Sequence, residues 1–169
     1  MILHLIYHLT AILWYSLPIA PTVRATKRKT FGCRKNQVKG GYGRSDIYGS
    51  QADSNDSLVV TNIGTMINTT SSEADVYIDP LERFLLFAST NRNDSFGADD
   101  IYVSFREGIS WSKPLNLGPK VNSYAYEYGA WVDEASGFLY FNSYRRGSSD
   151  IYRVALSDID VLKEIVDWQ

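Results

Sequence analysis

The chain has 169 residues, room for one ordinary domain, with 44% hydrophobic residues and a formal net charge of −2. A single cysteine, Cys33, excludes an intramolecular disulfide and any zinc site built from cysteines. Both histidines, His4 and His8, lie near the N-terminus, which excludes a Ser-His-Asp triad and a histidine-based metal site from the remainder.

Residues 1–39 read as an apolar and basic leader. Residues 2–20 are mostly apolar and long enough for a signal peptide or a short membrane span. Seven lysines and arginines follow in residues 24–39 with no acidic partner, leaving ten basic and all nineteen acidic residues for the body, a net of −9. That acidic balance argues against nucleic-acid binding by the body. Three readings of the leader stand open: a cleaved signal peptide, an uncleaved membrane anchor, or a start that is not native to the domain. Under each, residues 1–38 are expected to stay outside the fold, and the segment TFGCRK (residues 30–35) does not fit the repeat described next.

From residue 40 onward the chain repeats. Asp-Ile-Tyr occurs at Asp46-Ile47-Tyr48, Asp100-Ile101-Tyr102 and Asp150-Ile151-Tyr152, at spacings of 54 and 50 residues. At an offset of 54, NIGTMINT (residues 62–69) lies over NLGPKVNS (residues 116–123). Glu73 lies over Glu127, Asp79 over Asp133, Phe84-Leu85-Leu86-Phe87 over Phe138-Leu139-Tyr140-Phe141, Ser89 over Ser143 and Arg92 over Arg146. The last loop is four residues shorter in the final copy, as a surface loop tolerates. Each copy reads as four short strands: one around Val76-Tyr77-Ile78, one at FLLFAS, one at DIYVS and one at SKPLNLG. Aromatic content of 14% and frequent turn residues agree with β-structure.

The expected fold class is therefore all-β, about two to two and a half four-stranded antiparallel blades. Residues 40–69 supply a partial blade, 73–122 a whole one and 126–165 most of another. The combination of Glu, FLLFAS-x-NR, DIY-x-S, G-x-x-W and P-x-NLG-x-x-VN resembles the TolB-like β-propeller repeat, a relative of WD repeats common in bacterial envelope proteins. The resemblance covers roughly residues 40–155 and implies an incomplete propeller fragment with an interaction surface and no single chemistry. Open blade faces lead us to expect self-association.

Several motifs have structural readings. Asp46, Asp100 and Asp150 are expected to accept backbone N–H groups of the preceding turn, with Arg92 as a further repeat-structural position. Gly40-Gly41-Tyr42-Gly43 precedes a strand, so it reads as a β-turn and not a phosphate loop. Ser104 to Trp111 resembles the Asp-box hairpin of sialidase-type propellers, with Arg106 where the Asp should stand; Trp111 is expected to be a packing anchor. Asp94, Asp99 and Asp100 with Asn93 form an oxygen-rich loop that matches no EF-hand, leaving calcium open. Carboxylate pairs, Glu73 with Asp79 and Glu127 with Asp133, are the nearest thing to glycosidase chemistry.

No catalytic residue and no cofactor is expected. The leading reading is a non-catalytic binding module for a protein partner in a bacterial cell envelope, periplasmic or secreted, or cytoplasmic if the leader is no signal peptide. Its candidate surface is Tyr124, Tyr126, Tyr128, Tyr144, Arg145 and Arg146, residue types favoured in interface hot spots. The alternative is a fragment of a propeller hydrolase, glycosidase-like or the propeller of a serine peptidase.

Overall fold

The computed structural model describes residues 30–35 and 40–163. Among them the architecture is all-β, with three antiparallel sheets in a row. The first sheet has the order β1 (Thr30–Lys35), β2 (Ser45–Ala52), β3 (Leu58–Asn62). The second runs β4 (Glu73–Ile78), β5 (Phe84–Thr90), β6 (Asp99–Glu107), with β7 (Ser110–Trp111) and β8 (Leu115–Asn116) both paired to β6. The third is β9 (Glu127–Asp133), β10 (Phe138–Ser143), β11 (Asp150–Ala155). This is the arrangement expected of partial propeller blades. No helix among the described residues is long and apolar enough to cross a membrane.

The double-sided apolar strand explains the stacking. In β5, Phe84 and Leu86 face the third sheet while Leu85 and Phe87 face the first, and all four are fully buried. One core joins Phe84, Leu86, Ile101 and Val103 to Ala130, Val132, Leu139 and Phe141. The other joins Leu85, Phe87 and Tyr102 to Phe31, Ile47 and Ile67. A strand buried on both faces reads as a continuous apolar run, which is why this one was legible.

Thr30–Lys35 corrects the leader assignment. These six residues form β1 and pair with β2 in the register Phe31↔Gly49, Cys33↔Ile47. The rest of the leader lies outside the described residues. TFGCRK did not match because, among the described residues, the first sheet packs against the second sheet alone, where one inward aromatic suffices. Phe31 fills that place, edge-on to Trp111 at 6.0 Å. Gly49 opposite leaves room for it: a Cβ there would meet the Phe31 ring at 3.3 Å. Phe31→Ala is therefore expected to destabilise the protein by about 3 kcal/mol, read by urea denaturation. An unchanged midpoint would return β1 to the leader.

The third sheet has three strands among the described residues instead of four. After β11 the chain makes two short 3-10 turns, Leu156–Asp158 and Asp160–Leu162. They deliver Leu156, Ile159 and Leu162 to the core between the second and third sheets.

Candidate functional site

The carboxylates that recur in the repeat are bound into the fold. Glu73 is fully buried and accepts from Thr69 N (2.8 Å), Thr69 Oγ1 (2.7 Å) and Ser89 Oγ (3.0 Å), with Arg92 Nη2 at 3.5 Å. Glu127 repeats this with Ser123 N (2.8 Å), Ser123 Oγ (2.6 Å), Ser143 Oγ (2.5 Å) and Arg145 Nη2 at 3.5 Å. Asp79, at the far end of β4, is occupied by Arg83 through Nε (2.8 Å) and Nη2 (2.7 Å). Burial would raise the Asp79 carboxyl, but hydrogen bonds from the Arg83 side chain and backbone, with its charge, hold it below the usual range. Arg83 also reaches Glu134 and so ties the second sheet to the third. Asp133 caps its own turn, accepting from Ser136 Oγ at 2.7 Å. Glu73 and Asp79 bracket a six-residue strand, a separation of roughly 15–20 Å. Glycosidase carboxyls stand about 5–10 Å apart, so neither proposed pair acts as one.

The geometry also corrects one alignment. Arg92 donates to Ser89 Oγ (2.9 Å) and to Ile67 O, and lies over the rings of Phe87 and Tyr102. Arg145, not Arg146, does the same with Ser143 Oγ (2.9 Å), Val121 O and the rings of Phe141 and Tyr152. The extra residue in the second copy is Asn91, at φ 55, so a gapless offset slips by one there. Arg145 is thereby a structural pin, and Arg146 stands exposed.

A second staple recurs at the first two Asp-Ile-Tyr copies. Asp46 accepts from Tyr42 N (2.7 Å), Gly43 N (2.9 Å) and Asn62 Nδ2 (2.8 Å). Asn62 Oδ1 accepts from Asn68 Nδ2 (2.7 Å), and Asn68 clamps both the N–H and the C=O of Ile47. Asp100 repeats the set with Phe96 N, Gly97 N and Asn116, and Asn122 clamps Ile101. These four asparagines were missed as functional positions. Their identity at the first and seventh positions of the aligned octapeptides was the available signal.

Gly43 and Gly97 mark where neighbouring sheets touch. A Cβ on Gly43 would lie 2.3 Å from Ser71 O, and one on Gly97 2.3 Å from Ser123 O. Beside them run Arg44 N→Ser71 O (2.6 Å) and Ala98 N→Ala125 O (3.0 Å).

The third copy departs from this pattern. Gly147 holds the same place, three residues before Asp150, and nothing lies within 4 Å of its would-be Cβ. Its N–H is spent on Tyr144 O at 2.8 Å, and Asp150 is exposed and accepts from Ser148 Oγ at 3.0 Å. Asp150 therefore does not cap its turn as Asp46 and Asp100 do; the shorter loop redirects the donor. Around Gly147 opens a cleft of about 570 Å³ lined by Tyr124, Ala125, Tyr126 and Tyr144. Tyr126 meets Tyr144 edge-on at 6.2 Å, Tyr128 stacks on Tyr144 at 6.2 Å, and Tyr124 Oη donates to Arg145 O. The fold thus gathers the four candidate tyrosines into one patch.

The remaining motifs resolve as local structure. The residue 40–43 turn leads into β2 and is capped by Asp46. The hairpin of Ser104 to Trp111 turns at Gly108, with Arg106 3.9 Å above the Trp111 ring. Trp111 is buried against Phe31. In the acidic loop, Asp94 accepts from Tyr102 Oη and Asp100 is stapled. Among the described residues no three His, Cys, Asp or Glu side chains are grouped as a metal ion requires.

Asp99 is the one member of that loop with an unrelieved cost. Its Oδ1 is buried without a hydrogen-bond partner. Desolvation first, then the charges of Asp75, Asp100 and Glu127, raise its pKa. A carboxyl raised in the folded state favours folding below the unfolded value, near 3.9, and loses that advantage as pH climbs through the folded value. Asp99→Asn is accordingly expected to raise stability at pH 7 by on the order of 1 kcal/mol, the carboxyl being only partly buried. It should also flatten the decline between pH 4 and 7 in urea titrations. A less stable variant at pH 7 would contradict this.

No protein-family model matches the chain, and no curated protein matches it.

Proposed function

We propose that this chain is a non-catalytic, propeller-repeat binding module that engages a protein partner through the tyrosine cleft and outward face of its third sheet. The observation that carries this reading is a change of residue type at equivalent positions. Leu86 and Val103 of the second sheet are buried aliphatics; their counterparts in the third are Tyr140 and an exposed Arg153. Trp131 stacks on Tyr140 at 4.6 Å, and Arg153 lies 4.6 Å above Phe138. Tyr140 and Arg153 give this face a more polar character than the stacked faces of the second sheet, and aromatics with Arg are the residues that concentrate binding energy. The bound-in state of Glu73, Glu127, Asp79 and Asp133 supports a scaffold over a hydrolase. Placement in a bacterial envelope rests on the repeat resemblance and the apolar leader.

A displayed peptide library panned on the full chain tests the reading. Enriched peptides should bind the wild type and lose tenfold or more on a Tyr126→Ala/Tyr144→Ala variant. Failure to enrich any peptide, or equal binding to the variant, would overturn it. The hydrolase alternative needs a carboxyl pair at catalytic separation, and Asp99, close enough to Asp75 and Asp100 to feel their charges, is the position at which to test it. Under it, Asp99→Asn would abolish turnover of a glycoside or peptide substrate.

A further inference from the structure

The second and third sheets carry the same acceptor edge in the same register, but only one of them is covered. Ala88 pairs with Ile101 and Asn142 with Ile151, so the N–H and C=O of each isoleucine point away from the central strand. In the second sheet Asn122 takes both groups of Ile101, and Leu117 N adds to Ile101 O. In the first, Asn68 and Ile63 do the same for Ile47. Ile47 and Ile101 are 0% exposed, whereas Ile151 is 76% exposed. Among the described residues β11 has β10 as its one strand neighbour.

One contiguous segment makes the contacts to the Asp and Ile of each covered edge. Residues 62–73 read NIGTMINTTSSE and residues 116–127 read NLGPKVNSYAYE. The first Asn bonds the Asp of Asp-Ile-Tyr, and the second clamps the Ile backbone. The backbone just beyond crosses the Gly and accepts the following N–H. The aliphatic before the second Asn, Ile67 or Val121, is buried in the intersheet core. In the third sheet Gly147, Ser148, Asp150 and Ile151 present the matching groups, flanked by the tyrosine cleft.

We propose that this edge, residues 147–152, docks an extended segment of another polypeptide bearing Asn-Ile/Leu-Gly-x-x-Ile/Val-Asn-Thr/Ser-x-Ser/Ala-x-Glu. The first Asn reaches Asp150, the second pairs with Ile151 as an added strand would, and the following residues cross Gly147 into the cleft. The proposal names the ligand of the site in the preceding reading and rests on it.

The test is binding of a fluorescent peptide with the sequence of residues 115–127 to the full chain, read by anisotropy. Saturable binding is expected, weakened about tenfold or more when both peptide asparagines are replaced by Ala, and likewise by Asp150→Ala in the protein. Asp150 is exposed, so the variant keeps its fold, which circular dichroism checks. Hydrogen exchange should slow at Ile151 and not at Ile101. Equal binding of a scrambled peptide, no binding, or protection confined to the first two sheets would each overturn the proposal. Self-association of the chain that the peptide competes away would overturn the separate-polypeptide source in favour of a second copy. If panning enriches peptides lacking the Asn–Gly–Asn pattern, the binding reading survives and this inference fails.

Discussion

Gly97→Ala is expected to be, with Gly43→Ala, among the most damaging single-methyl changes at the described residues, while Gly147→Ala, at the same place in the next copy, costs far less. The added Cβ at 97 would lie 2.3 Å from Ser123 O, 2.4 Å from Tyr124 C and 2.7 Å from Tyr124 O. All three are backbone atoms, so no rotamer can give way. The second and third sheets must part, breaking Ala98 N→Ala125 O and the parallel bridge Asp99↔Tyr126. Overpacking of this kind costs about 3 kcal/mol, a fall of roughly 10 °C in melting temperature for a chain of this size. Gly147 is open, and its substitution costs only the left-handed backbone at φ +88, about 1 kcal/mol. Differential scanning calorimetry of the two variants decides the matter. Equal losses would show that the sheets are not in contact at Gly97.

Glu127→Ala should cost about 3–5 kcal/mol, because it strands a partly buried cation together with three donors. Ser123 N, Ser123 Oγ, Ser143 Oγ and Arg145 all converge on this carboxylate. Glu127→Gln keeps the shape and one acceptor oxygen but sets an NH2 among donors, so it should lose about 2 kcal/mol. Glu73, with the same partners in the second sheet, should respond alike. Urea midpoints at neutral pH give both numbers. A Glu127→Ala variant within about 1 kcal/mol of wild type would mean that water enters and the staple is not structural.

Much of this design is periodic, and periodicity is what a sequence displays. The 54-residue repeat, the doubly apolar strand Phe84 to Phe87 and the turn-capping role of Asp46 and Asp100 follow from local chemistry. Side-chain alternation on a strand and an Asp just after the free N–H groups of a turn need no distant partner to be inferred. β1 escaped notice because its packing among the described residues rests on a single inward Phe, Phe31, and one Phe leaves no pattern. The slip from Arg146 to Arg145 is invisible without coordinates, since a single residue in the left-handed region, Asn91, absorbs it.

The sequence by itself determined the all-β class, the repeat and the set of tyrosines that could recognise a partner. Tertiary structure alone decided which carboxylates are free to act. Glu73 and Asp79 are six residues apart in sequence and at opposite ends of one extended strand; Asp79 is met by Arg83 of its own turn and Glu73 by Arg92 beyond the next strand. It alone also decided which copy of a repeated motif is spent and which is open. Ile47, Ile101 and Ile151 are identical in local sequence, and their exposure differs because burial is set by the segment lying across each one, which local sequence does not encode.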